Sequence, residues 1–188
     1  IHVPTYATGP ATHGWWAMII LLIVMGMIFL MALFGLAFLW ANQPAHWAPP
    51  PDFSAGWPIY LLNGLALLCA LAARWLLPRG AAWAVAALTA SAALAIVALW
   101  IENDQWLTAG FRPEQSGQSA VIFALQALQA TACAIAVLMA AYLFARALGK
   151  LIILPRNNSV DLAALFLAYT GAQGLIGGAF GRMLTILP

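Results

Sequence analysis

The side chains most capable of chemistry in this sequence are three histidines, two cysteines and a few carboxylates, and they are scattered. His2, His13 and His46 flank the first apolar run, so no apolar segment contains a histidine. Haem and copper sites inside helix bundles usually take His, Met, Cys or Tyr ligands. Cys69 and Cys133 stand alone in separate apolar segments, a spacing that favours packing over metal binding. The sequence therefore predicts no catalytic, cofactor-binding or metal-binding residue in this chain.

Charged and polar side chains near the apolar segments suggest helix ends and helix contacts rather than transport. Asp161 and Glu102 stand at predicted helix ends, where we interpret them as a cap and an interfacial charge. Arg74 is expected to extend its side chain to the membrane interface. Gln126 and Gln129, three residues apart, share a helix face. With the other intramembrane polar residues, such as Gln173, they indicate interhelical hydrogen bonds, and a substrate site is the alternative.

Composition places the protein in a membrane. Of 188 residues, 65% are hydrophobic and 6% are charged, with a mean hydropathy of +0.94. Soluble domains contain about 25% charged residues, which they need to cover their surface. The net charge of +2 and the absence of a basic run argue against a nucleic-acid partner.

Five long apolar segments predict an all-α fold, a polytopic transmembrane helix bundle of five spans in a single domain. The first segment would be roughly 39 Å long as a helix, whereas the hydrocarbon core of a bilayer is about 30 Å thick. The segments do not alternate and are too long for barrel strands. Only a few residues, including Pro78 and Gly80, separate the second and third spans, which predicts a tight hairpin. The predicted spans are 15–41, 58–77, 81–101, 118–148 and 160–187.

The distribution of basic residues predicts the orientation in the membrane. Arg112 and Arg182 fall on the side of the first and third loops. The other five of the seven basic residues fall on the opposite side: Arg74, Arg79, Arg146, Lys150 and Arg156. The positive-inside rule then predicts a cytoplasmic N-terminus and a periplasmic C-terminus.

Two stripes of small residues predict helix packing or a subunit interface. Small side chains let membrane helices approach closely. In the fifth segment they form two overlapping GxxxG pairs, and in the third they recur every four residues. The stripes consist of Gly174, Gly177, Gly178, Gly181, Ala82, Ala86 and Ala90.

Three short motifs occur in order along the chain. In Met25–Phe29, Met27 and Phe29 fit a Glu-x-Met-x-Phe pattern, with Met25 at the Glu position. In the connection after the third span, Gln105 and Trp106 begin a stretch similar to Glu-Tyr-x-x-Ala-x-Phe. Gln126 and Gln129 fit a His-Gly-Leu-His pattern with both histidines replaced. The ordered set resembles subunit III of haem–copper respiratory oxidases, in its shortened form or the form fused behind subunit I.

That resemblance implies a non-catalytic subunit of a terminal oxidase, cytochrome c oxidase, in aerobic respiration at the bacterial inner membrane. Such a subunit packs against subunit I in a complex with subunit II, binds phospholipid, and supports sustained turnover and proton pumping. Haem and copper are then expected in the partner subunits. The neutral residues at the Glu and His positions mean that the roles of those residues do not carry over.

Two other functions remain open from the sequence. One is an accessory subunit of a quinol oxidase or nitric oxide reductase, since the electron donor binds elsewhere. The other is a small transporter or channel, which would bring polar residues together at mid-membrane and could show an internal repeat.

Overall fold

A computed structural model describes residues 13–42, 47–49, 51–152 and 158–184. These ranges contain five α-helices and no strand, and all five helices are long and apolar enough to cross a membrane. The predicted all-helical fold, with five helices that could each span a membrane, is thereby confirmed. The helices are α1 (His13–Asn42), α2 (Trp57–Leu76), α3 (Ala81–Thr108), α4 (Gly117–Leu148) and α5 (Asn158–Met183).

The helix ends agree with the predicted spans except at α3. The bounds of α1, α2 and α4 differ from the prediction by at most two residues. Helix α3 continues to Thr108 instead of ending near 101, so Gln105 and Trp106 lie in its last turns and not in a connection. The predicted end of the fifth span at 187 falls outside the described residues.

Local sequence explains where α3 ends and α4 begins. Gly110 adopts the left-handed conformation (φ +87°), and the Phe111 amide donates to the Trp106 carbonyl at 3.1 Å, a Schellman closure. The Ser116 hydroxyl then accepts a hydrogen bond from the Ser119 amide at 3.1 Å and caps the N-terminus of α4.

The hairpin predicted between the second and third helices is present. A short 3₁₀ helix, Leu77–Arg79, follows α2, and Gly80 (φ +148°) precedes α3. Between the two helices, the Ser91 hydroxyl donates to the Ala66 carbonyl at 2.7 Å. The hairpin therefore has both a short connection and a buried interhelical hydrogen bond.

Helix α5 packs against the four other helices, whereas α1 packs mainly against α4 and α5 at the edge of the bundle. One buried cluster lies at the end of the bundle formed by the α2–α3 hairpin and includes Leu88, Leu143 and Phe166. A second lies at the α3–α4 end and includes Leu36 and Trp106.

Helices α2 and α5 approach each other closely at Gly171. A Cβ atom there would come within 2.9 Å of the Leu67 amide nitrogen and 3.1 Å of the Asn63 carbonyl oxygen. Only a residue without a side chain allows two backbones this close. Gly171 lies outside both predicted GxxxG pairs, so this close backbone contact is one that the GxxxG spacing did not identify.

Candidate functional site

A small internal cavity lies between α1, α3, α4 and α5 toward the α3–α4 end. Its volume is about 20 Å³, which is room for one water molecule. Its walls contain residues that the sequence had suggested separately: the intramembrane glutamines, the glycine pairs, Phe29 and Trp106. The structure therefore joins several predicted features at one place.

The three intramembrane glutamines are buried at this cavity, and only part of their hydrogen-bonding capacity is used. Gln129 Nε2 donates to the Thr170 carbonyl of α5 at 3.1 Å, an interhelical hydrogen bond of the predicted kind. Within the described part of the chain, both amide atoms of Gln126 and the Oε1 atoms of Gln129 and Gln173 have no hydrogen-bond partner. Buried polar atoms usually have partners, so these atoms require an explanation.

The glycines Gly174 and Gly178 face α2 and α3. A Cβ atom at Gly174 would overlap the Asn63 carboxamide of α2. At Gly178, a Cβ atom would stand 3.2 Å from Ile59 Cγ2 and 3.6 Å from Glu102 Oε1. This pair therefore admits a polar side chain of α2 and a carboxylate of α3 against the backbone of α5.

Gly177 and Gly181 face a different set of neighbours. A Cβ atom at Gly177 would stand 3.5 Å from Phe29 Cε2 of α1. At Gly181 it would stand 3.5 Å from Trp106 Cζ2 and 3.8 Å from Leu36 Cδ2. Both distances are ordinary contacts, so the two predicted GxxxG pairs serve different interfaces and differ in how tightly they are packed.

Two oppositely charged residues are buried near the cavity, which corrects the prediction for Glu102. Glu102 is 7% exposed and Arg182 is 0% exposed. The Glu102 carboxylate lies within electrostatic range of the Arg182 guanidinium. The helix end predicted at Glu102 is wrong because α3 continues to Thr108, and Glu102 is buried between helices. Arg182 lies in the last turn of α5, inside the bundle.

Gln105 connects this charged pair to the chain before α2. Arg182 NH2 donates to Gln105 Oε1 at 2.8 Å, and Gln105 Nε2 donates to the Ala55 carbonyl at 3.0 Å. The Arg182 guanidinium also lies 5.7 Å from the centre of the Trp106 ring, within range of a cation–π contact. Gln105 and Trp106 thus act together in positioning Arg182.

Arg74 has a partner as well as an exposed position. Its Nε atom lies 3.1 Å from Asp161 Oδ1, and the two side chains are 66% and 32% exposed. Asp161 lies in the first turn of α5 as predicted, where a carboxylate interacts favourably with the helix dipole. An ion pair this exposed contributes little to stability.

The three residues of the first motif do not form a common site. Phe29 is buried at the cavity, Met27 is 57% exposed on the outer surface, and Met25 packs against the cluster at the hairpin end. Successive alternate positions on a helix point in different directions, which explains this separation.

The alanine stripe of α3 is exposed instead of packed within the chain. Ala82, Ala86 and Ala90 line an outer groove of about 500 Å³ between α3 and α4. Two further grooves of about 360 Å³ and 430 Å³ continue it along the same pair of helices. A subunit interface on this stripe stays a prediction, and the packing of α3 within the chain uses its other face.

Among the described residues, no group of three or more His, Cys, Asp or Glu side chains is arranged to hold a metal ion. His2, His46 and Arg156 lie outside the described residues. Comparisons with models of known protein families, with curated proteins and with solved structures found no match. The resemblance to oxidase subunit III therefore rests on the sequence motifs.

Proposed function

We propose that this chain is a non-catalytic membrane subunit that acts through its outer surfaces, as subunit III of a haem–copper terminal oxidase. The observation that supports this most is the contrast in space inside and outside the bundle. The internal cavity of about 20 Å³ accepts one water, whereas the outer groove between α3 and α4 offers successive volumes of about 360–500 Å³. Within the part of the chain that the structure describes, these grooves offer room for partners on the surface, and this internal cavity is too small for a substrate.

The outer groove suits the acyl chain of a phospholipid. Its walls are mainly alanine, with Ile96 and Phe144 shared between adjacent sections. Substituting Ala86 by Phe should narrow the groove and reduce the phospholipid retained through purification, as measured by native mass spectrometry. Leu68→Phe on the exposed surface of α2 is the control. Equal lipid retention in both variants would place the bound lipid elsewhere.

The partner proposed for this chain is subunit I, together with subunit II, in the bacterial inner membrane. Helix α1 offers a broad exposed apolar surface, including Met31, Phe34 and Phe38, which is available to lipid or to a neighbouring helix. Purification from native membranes in mild detergent should bring down haem- and copper-containing chains, visible in the haem spectrum. A chain that purifies without any haem protein would contradict the proposal.

The proposed orientation has the N-terminus in the cytoplasm and the C-terminus in the periplasm. Since Arg182 is buried, Arg112 is the remaining basic residue on the predicted outer side, which strengthens the asymmetry behind the assignment. In a variant lacking Cys69 and Cys133, cysteines introduced at Ala48 and Glu114 should react with a periplasmic reagent. Labelling of both positions only from the cytoplasm would reverse the orientation.

A small transporter or channel is the second candidate, because Glu102 and the three glutamines converge inside the bundle. Such convergence is expected along a transport path. Ion or small-solute flux through liposomes that contain the purified chain would favour this candidate. Sealed liposomes, together with a co-purifying haem complex, would favour the oxidase subunit.

A further inference from the structure

Three of the unpartnered polar atoms at the internal cavity match the bonding capacity of a single water molecule. Gln129 Oε1 and Gln173 Oε1 are acceptors without a donor among the described residues, and Gln126 Nε2 is a donor without an acceptor. All three glutamines line the cavity and are more than nine-tenths buried, at 6%, 4% and 7% exposed. A water molecule can donate two hydrogen bonds and accept at least one.

We propose that the cavity binds one structural water, which donates to Gln129 Oε1 and Gln173 Oε1 and accepts from Gln126 Nε2. Buried waters typically make about three hydrogen bonds to polar groups that otherwise lack them. The volume of about 20 Å³ admits one water and excludes larger ligands. This water joins α4 to α5 beside the Gln129–Thr170 bond and gives three of the unpartnered glutamine atoms a hydrogen bond.

Substituting a glycine in the cavity wall tests the proposal, because a wet cavity and a dry cavity predict stability changes of opposite sign. An alanine methyl at Gly177 would stand 3.5 Å from Phe29 Cε2, which is an ordinary contact, and would occupy space at the cavity wall. Gly64 in α2 is the matched control, because a Cβ there meets no atom within 4 Å. Gly64→Ala therefore reports the helix propensity change alone.

The two possible contents of the cavity give opposite results for Gly177→Ala. If the cavity holds a water, the methyl displaces it, and one amide atom of each of the three glutamines loses its hydrogen bond. The unfolding equilibrium constant should then rise about tenfold relative to Gly64→Ala. With a dry cavity, the methyl fills empty space and Gly177→Ala should be at least as stable as Gly64→Ala. Reversible unfolding of the full chain in mixed micelles measures both variants, and the second result would overturn the proposal.

A double-mutant cycle with Gln126→Leu tests the bridge itself. If Gln126 donates to the water, Gln126→Leu alone should destabilise the chain and should cost little once Gly177→Ala has removed the water. If Gln126 is a buried amide without a partner, Gln126→Leu should stabilise the chain in both backgrounds. Additive effects would contradict a shared water.

If Gly177→Ala does not fold, infrared spectroscopy of the wild-type chain and of Gln126→Leu tests for the bound water instead. An ordered water in the wild-type chain should give an O–H stretching band that shifts in H₂¹⁸O and is lost or displaced in Gln126→Leu. The same isotope-sensitive spectrum in both proteins would show that no water is bound to Gln126 and would overturn the proposal.

Discussion

Helix α1 is more hydrophobic than helix α5, but it is less buried within the bundle. Helix α1 has a mean hydropathy of 3.0 in its most apolar window, and 11% of that window is buried; for α5 the values are 1.4 and 50%. In a soluble protein, the apolar stripe of a helix faces the core. In a membrane, lipid solvates apolar side chains as well as a neighbouring helix does, so small and polar residues determine which helix is central.

The same contrast appears in the residues that each helix presents. Helix α1 directs large apolar side chains such as Phe34 outward, at 68% exposed. Helix α5 brings glycines, Gln173 and Arg182 to its contacts with other helices. Changes in α5 should therefore affect folding of the chain, whereas changes on the outer face of α1 should affect only what surrounds it.

The largest effect is expected from Arg182→Met, which removes the cation beside Glu102 but keeps a long side chain. Because Gln105 loses its buried hydrogen-bond donor and the buried Glu102 loses the positive charge that acts on it, the free energy of unfolding should fall by about 3–5 kcal/mol. Arg74→Met removes the same charge from an exposed pair with Asp161 and should cost at most about 1 kcal/mol. Unfolding in a denaturing detergent, followed by circular dichroism, measures both variants. Equal losses of unfolding free energy would contradict the distinction between a buried and an exposed arginine.

An intermediate effect is expected from Gly171→Leu in α5, with Gly35→Leu in α1 as its control. The leucine at position 171 would collide with the α2 backbone at Leu67, and overpacking of this kind costs about 1–3 kcal/mol. At Gly35, a Cβ meets no atom within 4 Å, so the same substitution should be close to neutral. The two variants are compared by their unfolding midpoints, which should fall for Gly171→Leu and stay near the wild-type value for Gly35→Leu. A loss at Gly35 as large as the loss at Gly171 would mean that α1 is also tightly packed within the chain.

The smallest effect is expected from Phe34→Ala on the outer face of α1. The free energy of unfolding of the isolated chain should change by less than about 0.5 kcal/mol, because Phe34 makes few contacts within the chain. Phe29→Ala on the inner face should cost measurably more, since Phe29 is 6% exposed. The same unfolding assay applies, and a larger loss for Phe34 than for Phe29 would reverse the proposed faces of α1.

The spans could be predicted from the sequence because hydropathy and Pro or Gly punctuation are local signals. The end of α3 was misplaced because Glu102 and Asp104 look like an interface when α3 is considered alone. The positive charge that acts on Glu102 belongs to Arg182, at the far end of the chain in another helix. Such a long-range pairing has no signature in either segment by itself.

The sequence identifies most residues of the candidate site but not how they come together in the fold. Spacing identified the glycines and glutamines, but not that two glycines face Asn63 and Glu102 while two face Phe29 and Trp106. In α3, alanines occur on every face, so their spacing did not indicate that the stripe from Ala82 to Ala90 is exposed. The relevant signal was Ser91, whose hydroxyl bonds to α2.

The most direct test of the proposed subunit function is the time course of oxygen reduction by the purified complex with and without this chain. If the chain is a non-catalytic subunit that acts through its outer surfaces, the depleted complex should begin at the rate of the intact complex. Its activity should then decline faster during turnover, and adding back the chain with phospholipid should restore sustained activity. Immediate and complete loss of activity on depletion, or identical time courses for both preparations, would contradict this function.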